Sequence, residues 1–315
     1  MELRRDITPY QQPCTLELIH ESGDHTLVEL PAIAGQDARF LAMWLHGKAE
    51  KTQRAYCADI GKLYAHGGVS LRELRLEDFH DFINTLVDLK PSTRARTIAA
   101  VKSALSFGVK TGYLQVNIGS LVKLPKLEDT LAERIMSEQN VAKMFALEPN
   151  PRNHAILALL YRAGLRAEEL CNLTWRNLSE RDEAGQIAVF GKGKKTRFIL
   201  LDQETWQEVT LLRPLTAALD DYVFLSRQRR SRTDKADRRI DESMIHRIVS
   251  TAARRAGIAG NVSPHWMRHA HATHSLENGA PITLVQSTLG HASIETTAKY
   301  THVRPNASSG QYLKV

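Results

Sequence analysis

Residues 263–302 read SPHWMRHAHATHSLENGAPITLVQSTLGHASIETTAKYTH. His265 and Arg268 lie three apart, so on a helix they share one face. Leu289-Gly290-His291 follows, and Tyr300 comes nine residues after that histidine. Imidazole and guanidinium donors precede a tyrosine, and no acidic cluster points to a metal. Such a set is unusual for the end of a purely structural domain.

Upstream, Gly164-Leu165-Arg166-Ala167-Glu168-Glu169-Leu170 sets Arg166 and Glu169 three apart at a helix start. Alone, this motif reads as a surface arginine. Beside the C-terminal stretch it gains weight. His-x-x-Arg, Leu-Gly-His, the tyrosine nine residues on and Gly-Leu-Arg-x-x-Glu-Leu together resemble the phage integrase (tyrosine recombinase) family, in its Xer-like two-domain form. The resemblance covers roughly residues 36–302 and is strongest in the second half.

The resemblance implies a catalytic set of Arg166, Lys192, His265, Arg268, His291 and the nucleophile Tyr300, with Glu169 as a buried support orienting the arginines. It places a catalytic lysine in Gly191-Lys192-Gly193, between two β-branched or apolar runs, 186–190 and 196–201, that read as a hairpin. Lys194 and Lys195 are close enough to compete for that role, and all three lysines also suit phosphate positioning. The implied fold is mainly α: an N-terminal four-helix (SAM-like) core-binding domain, then a mixed α/β catalytic domain with a small β-sheet.

The chemistry suits these residues. A phosphodiester under attack gathers negative charge on its oxygens, and planar, permanently charged guanidiniums match them. Arg166 and Arg268 would form that clamp. His265 and His291 donate or move protons near neutral pH. A tyrosine hydroxyl ionises near 10 and needs a base and cations to attack, and His265 is the expected base. Lys192 would protonate the departing 5′-oxygen. A phosphotyrosyl bond conserves the energy of the bond broken, in keeping with the lack of an ATP-binding loop motif or a carboxylate pair for two metals. No cofactor is expected. His265, His269, His271 and His274 invite a zinc reading, but HExxH is absent and no cysteine is paired with them; no metal is expected.

Residues 1–33 show no sustained periodicity and read as an arm, with 14–19 and 26–30 as short strands or extended pieces. From 34 to 122 the pattern is helical. Phe40, Leu41, Trp44 and Leu45 form one apolar face. Thr52 is a cap for the second helix, stopped by Gly67-Gly68. Phe79, Phe82, Ile83 and Leu86 mark a third, and Ser92 caps a fourth. Lys51, Arg54, Arg94 and Arg96 lie on the second and fourth helices. Their charges alone suit a solvated face; the resemblance makes them DNA contacts. Residues 123–133 read as a linker and 134–315 as the catalytic domain. The basic run 226–239 reads as a phosphate-contacting loop. Arg247, Arg254 and Arg255 lie on the outer face of a helix that the family often sets in a DNA groove, and Lys194, Lys195, Arg247 and Arg254 join the expected DNA contacts. Pro305 and Ser308-Ser309-Gly310 argue against a long C-terminal helix.

Composition agrees. The 315 residues carry a net charge of +7 and a pI near 9.3, which favours a polyanionic partner. Three scattered cysteines give no disulfide framework. No apolar run has a transmembrane span's length, and the N-terminus lacks a signal-peptide core. The expectation is a soluble cytoplasmic protein of the bacterial nucleoid, acting on a specific double-stranded DNA site as a homotetramer on synapsed DNA, alone or with a second recombinase or accessory protein. The rivals are type IB topoisomerase-like relaxation and a non-catalytic DNA-binding accessory.

Overall fold

The computed structural model describes residues 14–19, 25–126, 134–190, 196–226 and 239–301. Lys192, Lys194, Lys195, most of the basic run 226–239 and the tail from 302 lie outside them. The chain is mostly helical, with small antiparallel sheets, and divides into two compact units, Met1–Glu128 and Asp129–Val315.

In the first unit, β1 (Cys14–Ile19) and β2 (His25–Leu30) form an antiparallel hairpin with Leu16 opposite Val28. Leu16 and Leu30 are buried in the unit's core, so this part of the expected arm is a packed element. Four helices follow: α1 (Ala38–Leu45), α2 (Glu50–Gly67), α3 (Leu76–Thr85) and α4 (Pro91–Lys110). The apolar stripes fall inward as their spacing predicts. Two caps differ from expectation. Helix α2 starts at Glu50, two residues before Thr52, and neither its start nor that of α4 has a side-chain cap. Pro91 takes the first helical position of α4, where its fixed φ already suits a helix, and Ser92 is left inside. Gly68 ends α2 at φ 59°, as a left-handed cap.

Two buried carboxylates tie this bundle together. Asp37 accepts from the hydroxyls of Tyr64 (2.7 Å) and Tyr113 (2.5 Å) and from the amide of Leu71 (2.7 Å). Asp59 of α2 accepts from Thr97 (2.9 Å) and Arg96 of α4.

The second unit is built around α6 (Pro151–Tyr161), whose residues from Ala155 to Leu160 are all fully buried. Around it lie α5 (Glu138–Ala146), the short α7 (Ala167–Cys171), α8 (Gln203–Thr210), α9 (Glu242–Arg255) and α10 (Pro264–Glu277). Then come α11 (Ile282–Leu289) and α12 (Ile294–Ala298). Side chains of Ser137, Asn150, Asp202 and Asp241 cap α5, α6, α8 and α9, each satisfying an otherwise orphaned amide. Strands β3 (Leu178–Arg181), β4 (Ala184–Phe190) and β5 (Thr196–Leu201) form an antiparallel meander. Ile187, Val189, Ile199 and Leu201 face the core. Trp206 of α8 lies against Gly185, where a Cβ would come within 2.2 Å of the indole. Among the described residues, no helix is long and apolar enough to cross a membrane.

Candidate active site

The start of α7 brings the first arginine in. Arg166 sits at its N-cap, and Glu169, three residues on, turns back to accept the Arg166 amide at 2.8 Å. The other oxygen of Glu169 accepts from the Arg166 guanidinium, also at 2.8 Å. A residue not singled out in the sequence completes this group. Arg197 of β5 meets Glu169 fork to fork, at 2.9 and 2.8 Å, and its Nε donates to the Thr288 carbonyl at 2.8 Å. Burial by itself would raise the Glu169 pKa. The hydrogen bonds from Arg197 and Arg166 outweigh it and hold the carboxyl down at about 2.

Glu169 was expected to orient both clamp arginines; it holds Arg166 and Arg197, and no hydrogen bond joins it to Arg268. That guanidinium is 3% exposed and donates to the main-chain carbonyls of Gly164 and Leu289. The turn just before Arg166 and the last turn of α11 therefore grip Arg268 directly. Burial and the neighbouring Arg166 lower its pKa to about 9, so it stays cationic at neutral pH.

The Leu-Gly-His motif has a backbone explanation. Gly290 ends α11 at φ 63°, a conformation that favours glycine. A Cβ there would also come within 3.1 Å of the Arg197 guanidinium. The Gly290 carbonyl accepts from Arg166 at 3.4 Å. His291 follows, its Nδ1 2.9 Å from the hydroxyl of buried Thr297 on α12.

Tyr300 is 8% exposed and packs with Ala272, Val285 and Leu289. Its ring lies nearly parallel to that of His291, with centroids 6.4 Å apart. Its hydroxyl is 2.7 Å from Nδ1 of His269. The imidazole on the tyrosine is thus His269, not His265. His265 lies one helical turn away, its ring packed on one side against that of His269 at 5.4 Å and the residue otherwise open to solvent. Burial, with Arg268, lowers the His265 pKa. Burial brings His269 and His291 down to about 4 and raises Tyr300.

The four clustered histidines do not converge as zinc ligands. His269 goes to Tyr300 and His271 to the Tyr161 carbonyl (2.6 Å). His274 bridges the Tyr161 hydroxyl and the Met136 carbonyl, both at 2.9 Å.

Arg166, His265 and Arg268 open into a cleft of about 820 Å³, whose far wall is α9 with Ser243, His246 and Arg247. Arg247 and Arg254 are exposed on α9. Arg255 instead pairs with Glu148 at 2.9 Å. In the first unit Lys51 is exposed, and exposed Arg54 pairs with Glu50 at 2.5 Å. Arg96 is drawn onto Asp59, and Arg94 is half-buried with its Nε lacking a hydrogen-bond partner.

The second unit is thus helical with a three-stranded meander, and Arg268 and the buried Tyr300 both meet Leu289 within it. The chain belongs to the phage integrase family, which matches residues 132–307, and is a tyrosine recombinase. It is 34% identical over 278 residues to the tyrosine recombinase XerD of Vibrio vulnificus, covering 83% of this chain and 88% of that one. It is also 34% identical over 238 residues to the tyrosine recombinase XerC of Myxococcus xanthus (70% and 75%). A lambda integrase(75-356) dimer bound to a COC′ core site shares the fold, with a TM-score of 0.68, 15% identity and coverage of 87% and 96%. So does the XerH site-specific recombinase in its post-cleavage complex, at 0.64, 18%, 81% and 77%.

Proposed function

We propose that this chain binds a specific double-stranded DNA site, cuts one strand with Tyr300 and rejoins it to a partner strand. The observation that carries this reading is the convergence of Tyr300, Arg268, Arg166 and His291 in one cluster, tied by hydrogen bonds that reach from residue 164 to residue 300. In this reading Arg166 and Arg268 neutralise the attacked phosphate, with His265 and His291 donating to it. The bond from the Tyr300 oxygen to phosphorus forms and the bond to the 5′-oxygen breaks. Lys192 supplies the leaving oxygen's proton, giving a 3′-phosphotyrosyl link and a free 5′-hydroxyl. Rejoining reverses these steps and passes through a Holliday junction.

Residues 34–122 would act as the core-binding domain, with Lys51, Arg54 and Arg94 on phosphates and Arg96 shared with Asp59. Residues 123–133 would link it to the catalytic domain, 134–315. Lys194, Lys195, Arg247 and Arg254 would contact DNA on the catalytic side. Four protomers on two synapsed sites give the balanced exchange that the chemistry permits, in the cytoplasm of a bacterium.

The test is to trap covalent adducts. Wild type and Tyr300→Phe are expressed in cells, denatured and recovered, and the attached DNA is sequenced. Adducts at one recurrent sequence, absent from the variant, are expected. Adducts that persist in Tyr300→Phe would overturn the assignment of the nucleophile.

A further inference from the structure

We infer that His269, not His265, takes the proton of Tyr300 as the nucleophile attacks. This rests on the strand-transfer reading above. Four observations carry it. First, the Nδ1 of His269 lies 2.7 Å from the Tyr300 hydroxyl, and no hydrogen bond joins His265 to that hydroxyl among the described residues. Second, His269 follows Arg268 on α10, whose guanidinium is fixed at both ends of its fork, so the imidazole is carried on a rigid frame. Third, the His265 ring stacks on that of His269, and the Tyr300 ring lies nearly parallel to that of His291. Fourth, the groups acting on His269 are cationic or imidazole: His265 and Arg268 on its own helix, Arg134 before α5 and His291 after α11. With burial, they keep the ring neutral and therefore able to accept.

The step balances. Tyr300 donates its hydroxyl hydrogen to Nδ1, while Nε2 carries the ring's own proton. As the oxygen–phosphorus bond forms, the phenolic proton becomes acidic and moves to Nδ1, leaving an imidazolium. The bond to the 5′-oxygen breaks, and that oxygen is protonated separately. In rejoining, the imidazolium returns its proton to the departing tyrosine oxygen. His265, freed of this task, faces the cleft with Arg166 and Arg268 and is placed to donate to the phosphate.

The test uses full-length wild type, His269→Ala, His269→Gln and His265→Ala on a nicked duplex carrying the sequence recovered from the cellular adducts. Single-turnover adduct formation is followed from pH 6 to 10, and DNA binding is measured in parallel. A general base contributes on the order of 10²–10⁴-fold. His269→Ala should be slower by about that factor near pH 7 with binding unchanged. Its deficit should narrow as the pH approaches the tyrosine's own ionisation, where no base is needed. His269→Gln can hold the hydroxyl but cannot take the proton, so it should be equally slow. His265→Ala should be slow by a factor that does not narrow with pH.

A His269→Ala enzyme within threefold of wild type overturns the inference. So does a deficit constant with pH, or a His269→Gln variant restored to the wild-type rate. Should the alanine variant fail to fold, the rate and pH profile of the glutamine variant decide by the same criteria. Absence of adducts with wild type itself would instead overturn the strand-transfer reading.

Discussion

Arg197 and Glu169 form a fork-to-fork ion pair, at 2.9 and 2.8 Å, behind the arginine expected to grip the phosphate. Both side chains are nearly buried, and Glu169 spends its remaining capacity on Arg166. Removing one member of a buried pair strands the other, at a cost of about 3–5 kcal/mol. Arg197→Ala should therefore lower the urea midpoint sharply and slow recombination, because the Glu169 that holds Arg166 loses its other partner. Arg197→Lys should recover little, since an ammonium cannot make the same fork. An alanine variant with an unchanged midpoint would show that the pair contributes no stability.

Arg166 is the more accessible of the two expected clamp residues, so it can be removed without emptying a core. Loss of one fixed donor to developing charge costs about 2.7–4 kcal/mol of barrier, or roughly 10²–10³-fold in rate. Arg166→Ala should cut adduct formation by about that factor while site binding persists. A folded Arg166→Ala that cleaves at the wild-type rate would remove Arg166 from the clamp.

Gly290 combines a left-handed backbone with a close approach to Arg197. Left-handed geometry costs an L-residue about 1–2 kcal/mol. Gly290→Ala should lose at least that much in chemical denaturation, and recombination should fall further as the following His291 shifts. A variant with full activity and unchanged stability would mean that the turn relaxes freely.

Acid should unfold the second unit early. His269, His271 and His291 are held near 4 by burial, against 6.5 for an ordinary histidine. The unfolded chain takes up these protons from about pH 6.5 downward and the folded chain only near 4, so stability falls across that interval. The Glu169 carboxyl, held at about 2, contributes stability that is present above its ordinary 4.5 and lost as the pH falls through about 2. Calorimetry should show the Tm dropping between pH 7 and 4.5, with net proton uptake on unfolding. A flat Tm over that interval would contradict the neutral histidines.

DNA affinity should fall steeply with salt, because phosphate contacts release counterions. Arg254→Ala should lower the slope of log affinity against log salt by about one if Arg254 contacts one phosphate. An unchanged slope would place it off the DNA.

The local elements were legible where one pattern governed them. The apolar stripes of α1 to α4, the buried run of α6 and the glycine stop after α2 follow from period and from glycine's backbone freedom. Among the described residues, Arg166, Arg268, His291 and Tyr300 share one neighbourhood because their helix-face and turn spacings match the helices that carry them. Arg197 was hidden in a strand-like run, since strand propensity says nothing of a partner 28 residues earlier in the chain. Its signal was parity: it falls on the same face of β5 as the core-facing Ile199 and Leu201, where a lone arginine needs a buried acid. His269 was visible only as the second member of a histidine pair four residues apart. Which of the two meets Tyr300 depends on how α11 and α12 return the chain to α10, and no local spacing encodes that.

The anchors of Arg268 are two carbonyl oxygens, and a carbonyl oxygen is the same in all twenty amino acids. At position 289, replacement of leucine by another residue of similar bulk keeps the acceptor in place, provided the helix end survives. Position 164 is less free, because its backbone stands at φ 61° and a Cβ would run into Leu289 and His271. The hold on this guanidinium thus depends on the chain path, and on glycine at 164, rather than on which side chain stands at 289.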